Sequence, residues 1–132
     1  MTRLLYIEAS PMKTLSHSID VAKQFLNAYR TAHPGHEIDT IDLWSKSIDL
    51  PEFDADMIGT KFAVLRTQNA TPEQHAQWQR AVALSQRFNA ADHYLFSVPM
   101  WNFGVPYRLK HFIDVVTLPG QNWNWSPATG YQ

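Results

Sequence analysis

There is no cysteine in the 132 residues. That removes a disulfide framework, a thiolate metal site and a cysteine nucleophile together. Charge is sparse: Asp, Glu, Lys and Arg make up 17% of the chain, the formal net charge is −1, and the basic residues are scattered. No cationic stripe marks a nucleic-acid or anionic-membrane partner. Long apolar runs are missing too, and the opening "MTRLLYIEASP" has only a short one with Glu8 close behind, which suits neither a signal peptide nor a membrane span. A cytoplasmic protein with no nucleic-acid or membrane partner is expected. Glycine is scarce, five in all, and none sits in a Walker A or G-x-G-x-x-G pattern, which argues against a nucleotide triphosphatase and a dinucleotide fingerprint. The six histidines lack H-x-x-x-H and H-E-x-x-H spacing, and the acidic residues are dispersed. No metal site is expected.

What the chain does have is apolar matter for a core, 45% of its residues, at a length usual for one domain. Residues 4–9 form a compact apolar run, which reads as a buried strand. From Ser18 the period changes: Ile19, Ala22, Phe25, Leu26 and Tyr29 recur at three- and four-residue steps, predicting a helix stopped by Pro34-Gly35. Residues 36–43 read as a second strand, and 44–70 as a loop with a broken helix. Thr71-Pro72-Glu73-Gln74 is a capping box with proline at the first helical position, leading into a helix with Trp78, Ala81, Val82, Ser85 and Phe88 on one face. Residues 93–99 make a third strand. Pro106 opens a last helix with Leu109, Phe112, Ile113 and Val116 on one side, and a Gly/Pro/Asn-rich loop with two tryptophans follows. Strands alternating with helices imply a parallel sheet with right-handed crossovers. Nothing reads as a linker, so residues 1–132 are expected to form a single domain.

The loop after the first strand, "SPMKTLSHS" at 10–18, is rich in hydroxyls. In open parallel sheets ligands bind beyond the carboxyl ends of the strands where strand order reverses, flavodoxin being a standing example of that rule. There the loop meets the N-terminus of the first helix, whose unpaired amides favour an anion. Ser10, Ser16 and Ser18 add donors, and Lys13 offers a positive charge, which together suit a monophosphate. The simpler reading is that Ser16 only caps the helix.

"VPMWNFGVPYRLKHFID" at 98–114 leaves the third strand, beside the first loop if the strand order is flavodoxin-like. Trp101 and Phe103 offer flat apolar surface, Asn102 a donor and an acceptor, and Gly104 a close approach to backbone. These features suit a flat heteroaromatic ring with polar edges. Trp44 and Trp78 read as core residues, whereas Trp123 and Trp125 stand in a polar loop.

The pattern P-M-W-N-F-x-x-P-x-x-L-K-x-x-x-D resembles the flavin-contacting signature of the FMN-dependent NADH-azoreductases, relatives of the NAD(P)H quinone reductases. The serine spacing, Thr71-Pro72 and "GQNWNW" resemble the same family, which usually has Tyr at the position of Trp101. The resemblance covers essentially the whole chain. It implies a flavodoxin-like doubly wound α/β fold with a parallel sheet, present here as three of five strands, the N-terminal two-thirds of the family fold. It also implies that Ser10, Ser16, His17 and Ser18 hold the FMN phosphate, that Met100, Trp101, Asn102 and Phe103 bind the isoalloxazine, and that Trp123 and Trp125 line the substrate side. The activity implied is ping-pong hydride transfer from NADH or NADPH to a quinone or azo compound by a homodimer, with flavin-centred chemistry and no catalytic side chain. Three other readings stay open: a non-enzymatic flavodoxin-like electron carrier, a hydrolase, for which no nucleophile–base pair is evident, and a fragment without flavin binding.

Overall fold

The computed structural model describes residues 1–132. The chain forms two compact units: Met1–Ile48 with Ala90–Lys110, and Asp49–Asn89 with His111–Gln132.

The first unit is built on three parallel strands, β1 (Arg3–Glu8), β2 (Glu37–Asp42) and β3 (His93–Ser97), in the order β2-β1-β3. The expected parallel α/β sheet is present. The apolar run of β1 makes it the central strand, with Leu4, Leu5, Tyr6 and Ile7 all buried, as a strand covered on both faces requires. Helix α1 (His17–Ala32) starts where Ser16 Oγ accepts the Ile19 amide at 3.3 Å. Its buried stripe is Ile19, Ala22 and Leu26. Ala22 and Leu26 pack with Leu4 and Tyr6, and Tyr29, Ile38 and Leu95 border the cluster. Truncating Leu26 to alanine in such a site costs about 2–5 kcal/mol. Phe25, expected in that stripe, is exposed. The flanks of the sheet differ from its centre: β3 is an edge strand, and its Tyr94 and Phe96 face outward.

In the second unit, α2 (Ala55–Phe62) is capped by Asp54, whose Oδ1 accepts the Met57 amide at 3.0 Å. A π-helical turn over Ala63–Thr67 ends it at Gln68, in the left-handed region. This is the broken helix expected from the sequence. Helix α3 (Pro72–Asn89) follows the capping box as expected: the Thr71 amide donates to Gln74 Oε1 at 2.9 Å and the Gln74 amide to Thr71 Oγ1 at 3.2 Å. Trp78, Ala81, Val82, Leu84 and Ser85 are its buried positions. Helix α4 (Tyr107–Val116), whose first turn belongs to the first unit, buries Leu109, Phe112, Val115 and Val116, while Ile113 faces out. Asn122 ties the next loop down, donating to Val116 O at 2.7 Å and accepting from the Leu118 amide at 3.1 Å. The closing segment is not wholly loop: β4 (Trp125–Ser126) and β5 (Gly130–Tyr131) pair as an antiparallel hairpin. Its turn is set by Ser126 Oγ, which accepts the Thr129 amide, and by Gly130 at φ +69°.

Candidate functional site

The order in which strands are added reverses between β1 and β3. One crossover carries the chain from β1 to β2 on one side, and the next carries it back past β1 to β3. At the carboxyl ends of this pair the last rung is the Ala9 amide donating to Ser97 O at 3.0 Å. Two segments, 10–16 and 98–106, therefore leave the same edge from neighbouring strands, the position where open sheets bind ligands.

The first segment is organised by its own hydroxyls. Ser10 is 1% exposed, and its Oγ accepts the Met12 amide at 3.2 Å. A single 3-10 turn covers Lys13–Leu15, with Lys13 at φ +50°. Ser16 is buried, and its Oγ lies 3.0 Å from Ser18 Oγ while capping α1. The amides of His17 and Ser18, in the first turn, have no acceptor within the helix, and the His17 side chain is exposed. Ser16 thus caps the helix, and that cap does not use the His17 and Ser18 amides.

Lys13 does not serve as expected. Its Nζ pairs with Glu8 Oε1 at 3.1 Å and with Asp42 Oδ2. Burial pulls its pKa down, but the hydrogen bonds to Asp42 and Glu8 outweigh burial and hold it above the ordinary lysine value. With two carboxylates around one ammonium, the group carries no surplus cation for an anionic ligand. Behind it, Tyr6 Oη lies 3.0 Å from Ser97 Oγ and donates to Glu8 Oε2 at 3.1 Å. Burial, with the Glu8 charge as a lesser cause, pushes the Tyr6 phenol up to about 12.

The second segment contains a two-residue turn. The Trp101 amide donates to Gly104 O at 3.0 Å and the Gly104 amide to Trp101 O at 2.9 Å. Asn102 and Phe103 occupy the centre at φ +50° and +62°, the positive pair of a type I′ turn. Asparagine tolerates that conformation; phenylalanine does not. The sequence offered Gly104 for a close approach to backbone; a Cβ there would meet only Trp101 O at 3.7 Å, an ordinary contact. Phe103 is 97% exposed, and Met100 and Asn102 are exposed beside it. Trp101 is half-buried against two aromatic rings that sequence reasoning did not connect to the loop, Trp44 at 5.9 Å and Tyr107 at 6.3 Å. Trp44 is accordingly not a core residue.

The structure thus brings Ser10, Ser16, His17, Ser18 and residues 100–103 to the loops at one sheet edge. Ser18 also borders a groove of about 310 Å³ with Val21, Phe25, Phe96 and Val98. Trp123 and Trp125 belong to the second unit. There Trp123 lines a cavity of about 230 Å³ with Lys61, Phe62, Leu65, Arg66 and Pro119. Trp125 is exposed on the hairpin and does not line it.

A family model described as flavodoxin-like fold matches residues 2–132. The chain belongs to the flavodoxin-like fold family. Among curated relatives, this flavodoxin-like chain is 46% identical over 132 residues to an FMN-dependent NADH:quinone oxidoreductase of Desulfotalea psychrophila, covering all of itself and 61% of that protein. It is 50% identical over 117 residues to FMN-dependent NADH:quinone oxidoreductase 9 of Burkholderia lata, covering 89% of itself and 55% of the relative. An FMN-dependent NADH-azoreductase of Bacillus anthracis, solved in complex with FMN, superposes with a TM-score of 0.86 at 27% identity, over 99% of this chain and 62% of that one. The chain therefore spans about three-fifths of the relatives it matches.

Proposed function

We propose that this chain carries the FMN-holding portion of an FMN-dependent oxidoreductase that passes hydride from NADH or NADPH to quinones or azo compounds. The observation that carries this reading is the exposed, strained turn at Asn102 and Phe103, in the segment that leaves β3 beside the hydroxyl loop. Backbone strain of this kind persists at sites that use it. The donor set fits the group. Hydroxyls and first-turn amides at Ser10, Ser16, His17 and Ser18 suit a phosphate without help from Lys13, because the helix N-terminus supplies the positive field.

Bound FMN would supply the redox chemistry, taking two electrons as hydride from the nicotinamide and giving them to the acceptor in alternate half-reactions. The chain's residues place it. Asn102 offers amide donor and acceptor to a polar ring edge, Phe103 and Trp101 offer faces for stacking, and Met100 adds a soft apolar surface. Trp123 and Trp125, both in the second unit, are proposed to contact the acceptor. No side chain needs to act as acid or base, since protons can come from water. The assembly is proposed to be a homodimer in the cytoplasm, and no helix is long and apolar enough to cross a membrane.

The test has two arms. Purified protein should be yellow, with absorbance near 450 nm, and should release FMN on denaturation. It should also oxidise NADH with menadione without any added reductase. Bound flavin with no NADH oxidation would replace the enzyme reading with the electron-carrier one, and colourless protein that takes up no added FMN would end both.

A further inference from the structure

Trp44 stands just after β2, yet its indole reaches the segments that leave the other two strands. Its indole Nε1–H donates to Ala9 O at 2.8 Å, on the last residue before the hydroxyl loop. Its ring lies 5.9 Å from Trp101, at the base of the type I′ turn, and 5.5 Å edge-on from Tyr107. Three further links hold Trp44 and the chain beside it. The Trp44 amide donates to Asp42 Oδ1 at 2.9 Å. The Arg108 guanidinium sits 5.5 Å above the ring. Arg108 Nε–H donates to Leu43 O at 3.0 Å. Ala9 is itself the rung that joins β1 to β3. One half-buried ring therefore bridges the start of the hydroxyl loop and the start of the ring-binding turn, and every bond that orients it comes from the same unit.

We propose that Trp44 is a positioning residue. It fixes the separation between the 10–16 loop and the 101–104 turn, so that the phosphate and the ring of one ligand are held in a single binding event. This rests on the reading above that both loops serve one flavin nucleotide. The physical content is effective concentration: two subsites at a fixed spacing multiply their affinities, and two subsites whose spacing drifts do not. The indole donor matters as well as the ring. Phenylalanine would keep a ring against Trp101 and lose the anchor on Ala9.

A comparison of two ligands in three proteins separates this role from simple support of the fold. FMN and riboflavin are titrated, by quenching of flavin fluorescence, into the wild-type chain, Trp44→Phe and Trp44→Ala. Riboflavin uses the ring turn alone. Loss of fixed spacing should therefore lower FMN affinity by about ten-fold in Trp44→Ala while riboflavin affinity changes by less than about three-fold, with Trp44→Phe between. Equal losses for both ligands, or none, would overturn the proposal. A second measurement needs no flavin. Amide exchange in the free protein should quicken at residues 101–104 and 10–16 together in both variants, while β1 and the middle of α1 keep their protection. Unchanged exchange in either loop would also overturn it. If the wild-type chain binds neither flavin, the proposed function fails for this chain, and the exchange measurement still decides the role of Trp44.

Discussion

A phenylalanine with positive φ, almost fully solvent-exposed, is hard to explain by folding alone. Phe103 gains nothing from burial, and a bulky residue in the left-handed region costs about 1–2 kcal/mol. Glycine would remove that cost and give back about 0.5–1 kcal/mol through the freer unfolded chain. Phe103→Gly is therefore expected to leave stability unchanged or raise it by up to about 1.5 kcal/mol, visible as a slightly higher Tm. The same substitution should weaken FMN binding by about ten-fold, the value of one aromatic stack. A less stable protein with intact FMN affinity would show that the ring is structural. Trp123 makes the opposite case. It lines a cavity with Lys61, Phe62, Leu65, Arg66 and Pro119, and on the proposed function Trp123→Ala should change the ratio of kcat/KM between a quinone and an azo acceptor while FMN affinity stays within about two-fold. If loss of FMN were the main effect, Trp123 would belong with the cofactor and not the acceptor.

At the scale of elements, the carboxyl end of β1 is held by a chain of polar contacts from Ser97 through Tyr6, Glu8 and Lys13 to Asp42. Its pH dependence has one sign. The folded pKa of Tyr6 is raised to about 12, first by burial, and that of Lys13 is raised because its carboxylate partners outweigh burial. A group whose pKa rises on folding stabilises fully below its unfolded value and loses that contribution as pH climbs through the folded one. Stability should therefore fall steeply from about pH 10 to about pH 12. Tyr6→Phe should flatten that arm, cost about 1 kcal/mol at neutral pH from lost hydrogen bonds, and abolish a phenolate absorbance step near pH 12. An unchanged alkaline arm in Tyr6→Phe would rule the network out as its cause. Elements whose signals are local were legible beforehand. The capping box at Thr71–Gln74, the buried run of β1 and the break after α2 each depend on residues within a few positions of one another. Lys13 and Trp44 were misread because their partners are remote in sequence. Lys13 meets Asp42 across 29 positions, and Trp44 meets Ala9 across 35. No spacing rule within either stretch announces such a pair. The β4–β5 hairpin was missed because strands of two residues leave no alternation to read.

For the whole molecule, the order of strands and helices was enough to infer a parallel sheet, and the reversal between β1 and β3 then placed both loops at one edge. What sequence patterning did not give is how much of β3 faces outward. Its outer edge has no strand partner, Phe96 is 40% exposed, and Val21 and Phe25 of α1 are exposed along the same groove. An apolar edge strand of this kind is a template for pairing with another chain. The 132-residue protein is thus expected to show a concentration-dependent rise in mass by sedimentation, separate from any flavin-linked dimer. Phe96→Lys puts a charge on that edge, where desolvating an ammonium opposes pairing, and should remove most of the rise. Ala83→Lys, on an exposed position of α3 in the other unit, adds the same charge elsewhere and should leave it unaltered. If the two variants behave alike, net charge and not the β3 edge governs association. If Phe96→Lys alone lowers the mass, the edge is the surface through which copies meet.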